Sequence, residues 1–294
     1  MPQRQRAPAR AGTPMTRTDD DLLAVARDQL GPVTPIQRFD LPSRVQLLVA
    51  GDGQRYILKR HDRPGRYRAE ADAYSSWVPS LGGNAPTLIH ADPDSLSLLL
   101  TVVPGRHATQ LQEGSTGELR AYREAGRVLR LIHQAPPGPH AGTRAPAHLA
   151  ERMRWWAGRA HSAALISASH LHALHAWADR MAAETLETAV CHLDFQPRNW
   201  IISPTGQIGV FDFEHSRLDV RVRDFSRLEH RFWGHNPGLR EAFFDGYGCS
   251  LGPAEQDLLR RFGPLEAVTA MVRGYETGNT ELLAHGCTLI ADLY

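Results

Sequence analysis

The chain is predicted to fold as an α+β protein of two lobes, a small and mostly antiparallel β lobe with one helix, then a larger, mainly α-helical lobe. Three observations carry this. Short apolar runs separated by turn residues fill the first hundred positions. Pro104-Gly105 then breaks the pattern. Beyond it, apolar residues recur at helical rather than alternating spacing.

Residues 1–18 (MPQRQRAPARAGTPMTRT) are rich in Arg, Pro and Ala and lack an apolar h-region, so they read as a disordered tail and not a secretory signal. The first lobe is expected over 19–103. Asp19 to Leu30 opens with acids and continues at helical spacing, a helix with its acids where the dipole favours them. Gly31-Pro32 ends it. Ile36–Asp40, Val45–Ala50 and Arg55–Arg60 read as strands, the last two joined by the Gly51-Asp52-Gly53 turn. Arg66–Trp77 is helical. Thr87–His90 and Leu96–Val103 return to strand across Asp92-Pro93-Asp94. The order is β-β-β-α-β-β.

The second lobe is expected over 104–294. Gly117–Gln134, Ala147–Ala160 and His161–Glu187 read as helices, with a Pro/Gly-rich loop at Ala135–Gly142. Small strands and a loop follow between Ala189 and Val210, and the chain from Arg221 onward is mostly helical. A cleft between two such lobes is a default place for a small-molecule site.

Composition narrows the function classes. Hydrophobic residues make up 42% of 294, enough for a core. The 33 Lys+Arg against 32 Asp+Glu give a net charge of +1, which does not support a nucleic-acid binder or an anionic-membrane binder. No apolar run approaches the roughly 18 residues a membrane span needs. Cys191, Cys249 and Cys287 are odd in number and widely spaced, without zinc-ligand spacing, which fits a reducing cytoplasm. Lys59 is the only lysine in the chain. A compact ammonium differs from a guanidinium where a point charge must fit a tight site. An exposed strand cation is the plainer reading of it.

The most informative stretch is Cys191 to Glu214, CHLDFQPRNWIISPTGQIGVFDFE. His192-x-Asp194 is followed five residues on by Asn199, then by Asp212 within Phe211-Asp212-Phe213. Apolar residues around the Pro204-Thr205-Gly206 turn make this a hairpin with Asn199 and Asp212 at its ends. Such a pair suits a hard, oxygen-loving cation such as Mg²⁺, and Asp194 in the same loop suits proton acceptance from a hydroxyl. Phosphoryl transfer needs this set together with a cation on the α/β-phosphates. An H-x-D-x-x-x-x-N loop followed by a metal-binding Asp is the kinase arrangement. Lys59 lies on the third predicted strand, and Glu70, eleven residues later on the following helix, is its natural ion-pair partner.

With these residues the chain resembles the aminoglycoside phosphotransferase superfamily of small-molecule kinases, relatives of choline kinases with a two-lobe protein-kinase-like fold. The family pattern H-G-D-x-x-P-x-N, I-D-W/F-E and a downstream D-x-A/x-R/x-L appears here as H-L-D-F-Q-P-R-N, F-D-F-E and Arg223-Asp224-Phe225-Ser226-Arg227-Leu228. The resemblance covers the chain after about residue 19. It implies that Asp194 is the catalytic base, that Asn199 and Asp212 bind Mg²⁺, and that Lys59 contacts the ATP phosphates and is oriented by Glu70. Leu98 to Gly105 matches the hinge, so the Thr101 carbonyl and the Val103 amide would hold adenine. His192 and Asp224 would organise the catalytic loop. Two departures stand out. Leu193 replaces the usual glycine. The loop between the first two strands (Asp40–Arg44, DLPSR) has no glycine, leaving Ser43 or a backbone amide to meet the phosphates.

Other clusters have simpler readings. His170, His172 and His175 lack an acid or Cys to complete a metal site, and only the last two share a helix face. Trp155-Trp156 beside Arg152, Arg154 and Arg159 reads as a half-buried helix face with snorkelling arginines. From Thr205 to Tyr294 there are 13 Asp/Glu against 9 Arg, an excess that permits a cationic substrate without demanding one. The expected activity is ATP- and Mg²⁺-dependent transfer of the γ-phosphate to a hydroxyl of a small molecule. An aminoglycoside or other antibiotic comes first among acceptors, and a choline-like or homoserine-like amino alcohol or a sugar second. From a different class, a non-catalytic nucleotide-binding regulatory module remains open. A cytoplasmic monomer or homodimer is expected.

Overall fold

The computed structural model describes residues 19–40, 44–138 and 145–291. The expected 1–18 tail lies outside them. Helix α1 (Asp19–Leu30) is followed by strands β1 (Val33–Asp40), β2 (Arg44–Ala50) and β3 (Arg55–Arg60), helix α2 (Pro64–Ser76), and strands β4 (Leu88–Asp92) and β5 (Ser97–Thr101). The five strands form one antiparallel sheet in the order β1-β2-β3-β5-β4. The β-rich first part and helical remainder are as the sequence predicts.

Two layers bury this sheet. Leu22, Leu23 and Ala26 of α1 pack against Val33, Leu48, Tyr56, Leu58 and Leu99 on one face. On the other, Leu98 and Leu100 join Tyr67, Tyr74 and Trp77 in the main core. Strand β5 is therefore buried on both sides, which explains its unbroken apolar run. It is shorter than the sequence suggests: Leu96 has a left-handed φ of 56° and belongs to the preceding turn.

Pro104-Gly105 leads into the second part. There, β6 (Arg106–His107) begins a chain of α3 (Thr116–Gln134), α4 (Ala145–Ser162), α5 (Ala168–Ala182), β7 (Thr188–Cys191), β8 (Trp200–Ile202), β9 (Ile208–Val210), β10 (Arg217–Val220), α6 (Arg223–Leu228), α7 (Pro237–Tyr247), α8 (Pro253–Arg261), α9 (Gly263–Thr277) and α10 (Thr280–Ala291). Gly105 sits at φ +145° against β8. A Cβ there would lie 2.2 Å from the Ile202 carbonyl oxygen, so only glycine fits this crossing. Gly209 plays a similar part, since a Cβ on it would meet Val103 Cγ1 at 2.4 Å.

The helix expected over His161–Glu187 is only α5. The Leu165 N–H bonds the Ala160 carbonyl and Ala164 turns left-handed, which closes α4, and the Ser167 hydroxyl then caps α5 by accepting the His170 N–H. The last residues of the expected helix leave it to reach β7, which pairs antiparallel with β10. Strand β10 was not anticipated. Its alternating Arg217-Leu218-Asp219-Val220 is too short to stand out by period alone. No helix among the described residues is long and apolar enough to cross a membrane.

Candidate active site

Lys59 enters the site from β3. Its Nζ donates to Glu70 Oε2 at 2.6 Å and to Asp212 Oδ1 at 2.5 Å, with Glu214 Oε2 at 3.6 Å. Burial alone would lower the pKa of this ammonium. Glu70, Asp212 and Glu214 together reverse that and hold it above the usual lysine value. Glu70, on α2, is fully buried. Its Oε2 also faces His61 Nε2 at 2.6 Å, and its Oε1 accepts the Phe213 backbone N–H at 3.2 Å. Burial would raise the Glu70 carboxyl, yet Lys59 and His61 keep it below its ordinary range. Glu70 thus ties α2 to both β3 and the segment after Asp212.

The residues expected to form the catalytic loop lie between β7 and β8. His192 is fully buried; its Nε2 donates to the Phe211 carbonyl at 3.1 Å, and its Nδ1 accepts the Asp194 N–H at 3.2 Å. This pattern requires the neutral imidazole with its proton on Nε2. Burial pulls the pKa down, in agreement. Asp224, near the start of α6, accepts the His192 N–H at 2.7 Å and the Leu193 N–H at 2.5 Å. Leu193 has φ +60°, the conformation its usual glycine would take freely. The two bonds to Asp224 hold it there. Behind Asp224 stand His133 at 3.2 Å and, through it, Tyr247.

Asp194 is buried under four donors. Oδ1 accepts from Gln196 Nε2 at 2.7 Å and pairs with Arg227; Oδ2 accepts from Arg198 and from Asn199 Nδ2, each at 2.8 Å. Asn199 Nδ2 also donates to the Asp194 carbonyl. Since both of these neighbours are acceptors, the Asn199 amide must point its nitrogen inward, which turns its Oδ1 away from the loop.

The donor set suits a hard divalent cation. Asn199 Oδ1 accepts no hydrogen bond from a described residue, and neither does Asp212 Oδ2 once Oδ1 is given to Lys59. Asp212 sits at φ +70°, a conformation Asp tolerates better than most residues. Burial would raise its carboxyl, and Lys59 holds it below the ordinary value. Two oxygen donors, one of them anionic, are what Mg²⁺ prefers.

Thr101 ends β5, with its N–H on the Thr87 carbonyl and its hydroxyl accepting the Thr87 N–H. Val103 follows in the connection to the second part and rests on Gly209 of β9. Ser43 lies outside the described residues. The structure thus brings Lys59, Glu70 and Asp212 together, and separately joins His192, Asp194, Asn199 and Asp224.

Several contributors were not read from the sequence. His61 follows Lys59 by two residues, a strand spacing that puts both on one face and was available as a signal. Gln196 and Arg227 cover Asp194, and Arg227 comes from α6. Glu214 lies between Lys59 and Arg66. The histidines of α5 are not part of the site, and Trp155 is exposed with the Arg159 guanidinium stacked over it at 4.8 Å.

Solved structures share this architecture. The gentamicin–APH(2")-IIa complex matches with a TM-score of 0.67 at 15% identity, covering 94% of this chain and 97% of that one. Macrolide 2'-phosphotransferase type I matches at 0.62 and 18% identity, over 94% and 97%. A choline/ethanolamine kinase family protein from Mesorhizobium loti matches at 0.63 and 18%, over 92% and 93%. At these identities the likeness shows the fold. No curated protein matches the chain in sequence. The model of the phosphotransferase enzyme family matches residues 41–262, and the chain belongs to that family.

Proposed function

We propose that this phosphotransferase moves the γ-phosphate of ATP to a hydroxyl of a small molecule with Mg²⁺ bound. The observation that carries the reading is the Lys59–Glu70–Asp212 centre, which keeps one cation and one free carboxylate oxygen at a single buried point. In this reading the Thr101 carbonyl and the Val103 N–H hold adenine, and Lys59 meets the phosphates. Asn199 and Asp212 hold Mg²⁺, which when bound supplies positive charge against the phosphate oxygens. Asp194 orients the acceptor hydroxyl and takes its proton. The hydroxyl oxygen bonds to the γ-phosphorus, the bond to the β–γ bridging oxygen breaks, and ADP leaves with that electron pair. Because the transition state is loose, positioning and charge neutralisation do most of the work. His192 and Asp224 hold the loop without touching substrate.

The similar structures are named for gentamicin, streptomycin, spectinomycin and macrolides, and one for a choline/ethanolamine kinase family protein. They support an antibiotic as acceptor first and an amino alcohol or sugar second, and we expect the protein to work as a cytoplasmic monomer or homodimer.

A thermal shift with Mg·ATP tests the nucleotide part. Binding to the folded state raises the melting temperature. A rise in the wild type that Asp212→Ala abolishes supports the reading, and no rise in the wild type contradicts it. One observation favours a second reading. Every lone-pair direction of Asp194 is engaged by its own neighbours, as suits a nucleotide-binding module without turnover. A shift with no phosphorylated product from any acceptor would favour that module.

A further inference from the structure

Beside the catalytic loop lies a small recess lined by Arg152 of α4, Leu193, Arg223, Ser226 and Arg227 of α6, and Glu266 of α9, among others. No residue of the β1–β5 sheet lines it. It therefore opens on the helical side of Asp194, away from Lys59 and the hinge.

The recess has more positive charge than its acids neutralise. Asp219 is a single buried carboxylate shared by Arg217 at 2.8 Å and Arg223 at 2.5 Å. Glu266 is already paired with Arg231. Arg227 pairs with Asp194 and also faces the charge of Glu266, and its buried Nε donates to no described residue. Arg152 has no carboxylate partner among the described residues; it lies over the Trp156 ring at 5.8 Å, a ring that Arg273 also approaches at 5.2 Å. Burial and the neighbouring Arg223, Arg217 and Arg227 pull the Arg152 guanidinium down to about 9, so it is still a cation at neutral pH, one made unfavourable by its surroundings. A cation in that position gains most from an incoming anion.

Leu193 adds a second sign of purpose. It holds a left-handed φ of +60° where glycine would be at ease, and it forms part of the recess wall. Non-glycine residues held in this region gather at functional sites.

We propose that this recess takes the anionic group of the acceptor, so that the substrate is a hydroxyl compound bearing a carboxylate or a phosphate, which displaces the polyamine antibiotics from first place among the acceptors. The proposal rests on the phosphotransferase reading. The acceptor's anion competes with Asp194 for Arg227. As Arg227 turns to the anion, Asp194 Oδ1 is released to accept the substrate hydroxyl. A cationic acceptor offers Arg227 nothing and is repelled by Arg152. The site is thereby closed to the wrong charge.

The test uses the full chain with Mg·ATP and three acceptors of similar size, gluconate, glucose 6-phosphate and glucosamine, with kanamycin as the polyamine. Products are read by mass spectrometry and binding by isothermal titration. The expected result is tighter binding of gluconate or glucose 6-phosphate than of glucosamine by at least tenfold, with transfer in the same order. The two anions separate a carboxylate site from a phosphate site. Arg152→Gln should raise the acceptor KM about tenfold and leave the KM for ATP unchanged. Arg227→Gln should narrow the preference for the anion. Tighter binding of glucosamine or kanamycin overturns the proposal, as does equal binding of all four. So does an Arg152→Gln effect confined to ATP, which would make the cluster a nucleotide clamp. Anion binding without a Mg·ATP shift or any product would retain the recess as an anion site and contradict the phosphotransferase reading instead.

Discussion

The Lys59 ammonium lies 2.6 Å from Glu70 Oε2, with both partners buried and a second carboxylate, Asp212, at 2.5 Å. The chain's only lysine is thus engaged by three carboxylates, Glu70, Asp212 and Glu214. Removing it would leave three carboxylates facing one another. Lys59→Met is expected to lower the unfolding free energy by about 3–5 kcal/mol, the usual cost of stripping one partner from a buried pair. Lys59→Arg should restore charge without restoring function, since a planar fork does not fit where a compact ammonium serves two oxygens. Urea unfolding and Mg·ATP titration of both variants check this.

Asp224 braces the His192–Asp194 loop, which we propose to be catalytic. Its two oxygens take the N–H groups of His192 and Leu193. Asp224→Ala orphans both donors at about 1–3 kcal/mol each. Asp224→Asn keeps one acceptor and should fall between the two. Turnover should drop with stability in this series, while the hinge and Lys59 are untouched. Chemical denaturation alongside a rate assay decides it.

Stability should fall with acid in two stages. His192 is buried and His215 is half-buried, its side chain 35% exposed, and the pKa values of both lie below that of a free histidine. For His215 burial, then Arg152 and Arg66, push it down to about 3. The unfolded chain therefore takes protons that these rings refuse. Their contribution is complete above about pH 6.5 and is lost as pH falls toward 3. Glu70 and Asp212, held below their ordinary values, add a second loss below about pH 4. Denaturation midpoints from pH 8 to 3 should show an early decline that His215→Gln flattens. A profile level down to pH 4.5 in the wild type would contradict this.

The crossing at Gly105 has a sharp steric prediction. A methyl there meets the Ile202 carbonyl, which is backbone and cannot move aside, and φ is +145°. Gly105→Ala should cost at least about 2 kcal/mol. Gly65→Ala, in open space within α2, should be neutral or slightly stabilising. Melting temperatures of the two variants give the comparison.

Much of the candidate site was legible because its chemistry is concentrated. His192, Asp194, Asn199 and Asp212 share one segment, and their spacing is dictated by a single loop and hairpin. Lys59 stood out by composition. The recess was not legible, for the opposite reason. Arg152 and Arg227 come from helices far apart in sequence, and in a chain whose 33 basic residues include one lysine, an arginine carries no signal of its own. The acid excess after Thr205 permitted a cationic ligand without demanding one. The structure pairs Asp219, Glu229, Glu255, Glu266 and Glu276 with arginines, so a count along the chain overstated the charge open to a ligand. The sheet was legible from its turns. The start of α5 was placed too early, at His161, because the alanine-rich residues before it have helical propensity, and only the Ser167 cap marks the true start.

Asp194 is where the account is most exposed. Wild type and Asp194→Ala would be incubated with Mg·ATP and a mixed panel of aminoglycosides, macrolides, amino alcohols, sugars and sugar acids, with phosphoryl adducts read by mass spectrometry and ATP binding by thermal shift. The account predicts an adduct in the wild type and its loss, by a factor of 10³ or more, in a variant that still gains stability from Mg·ATP. An adduct formed equally well by Asp194→Ala would contradict it.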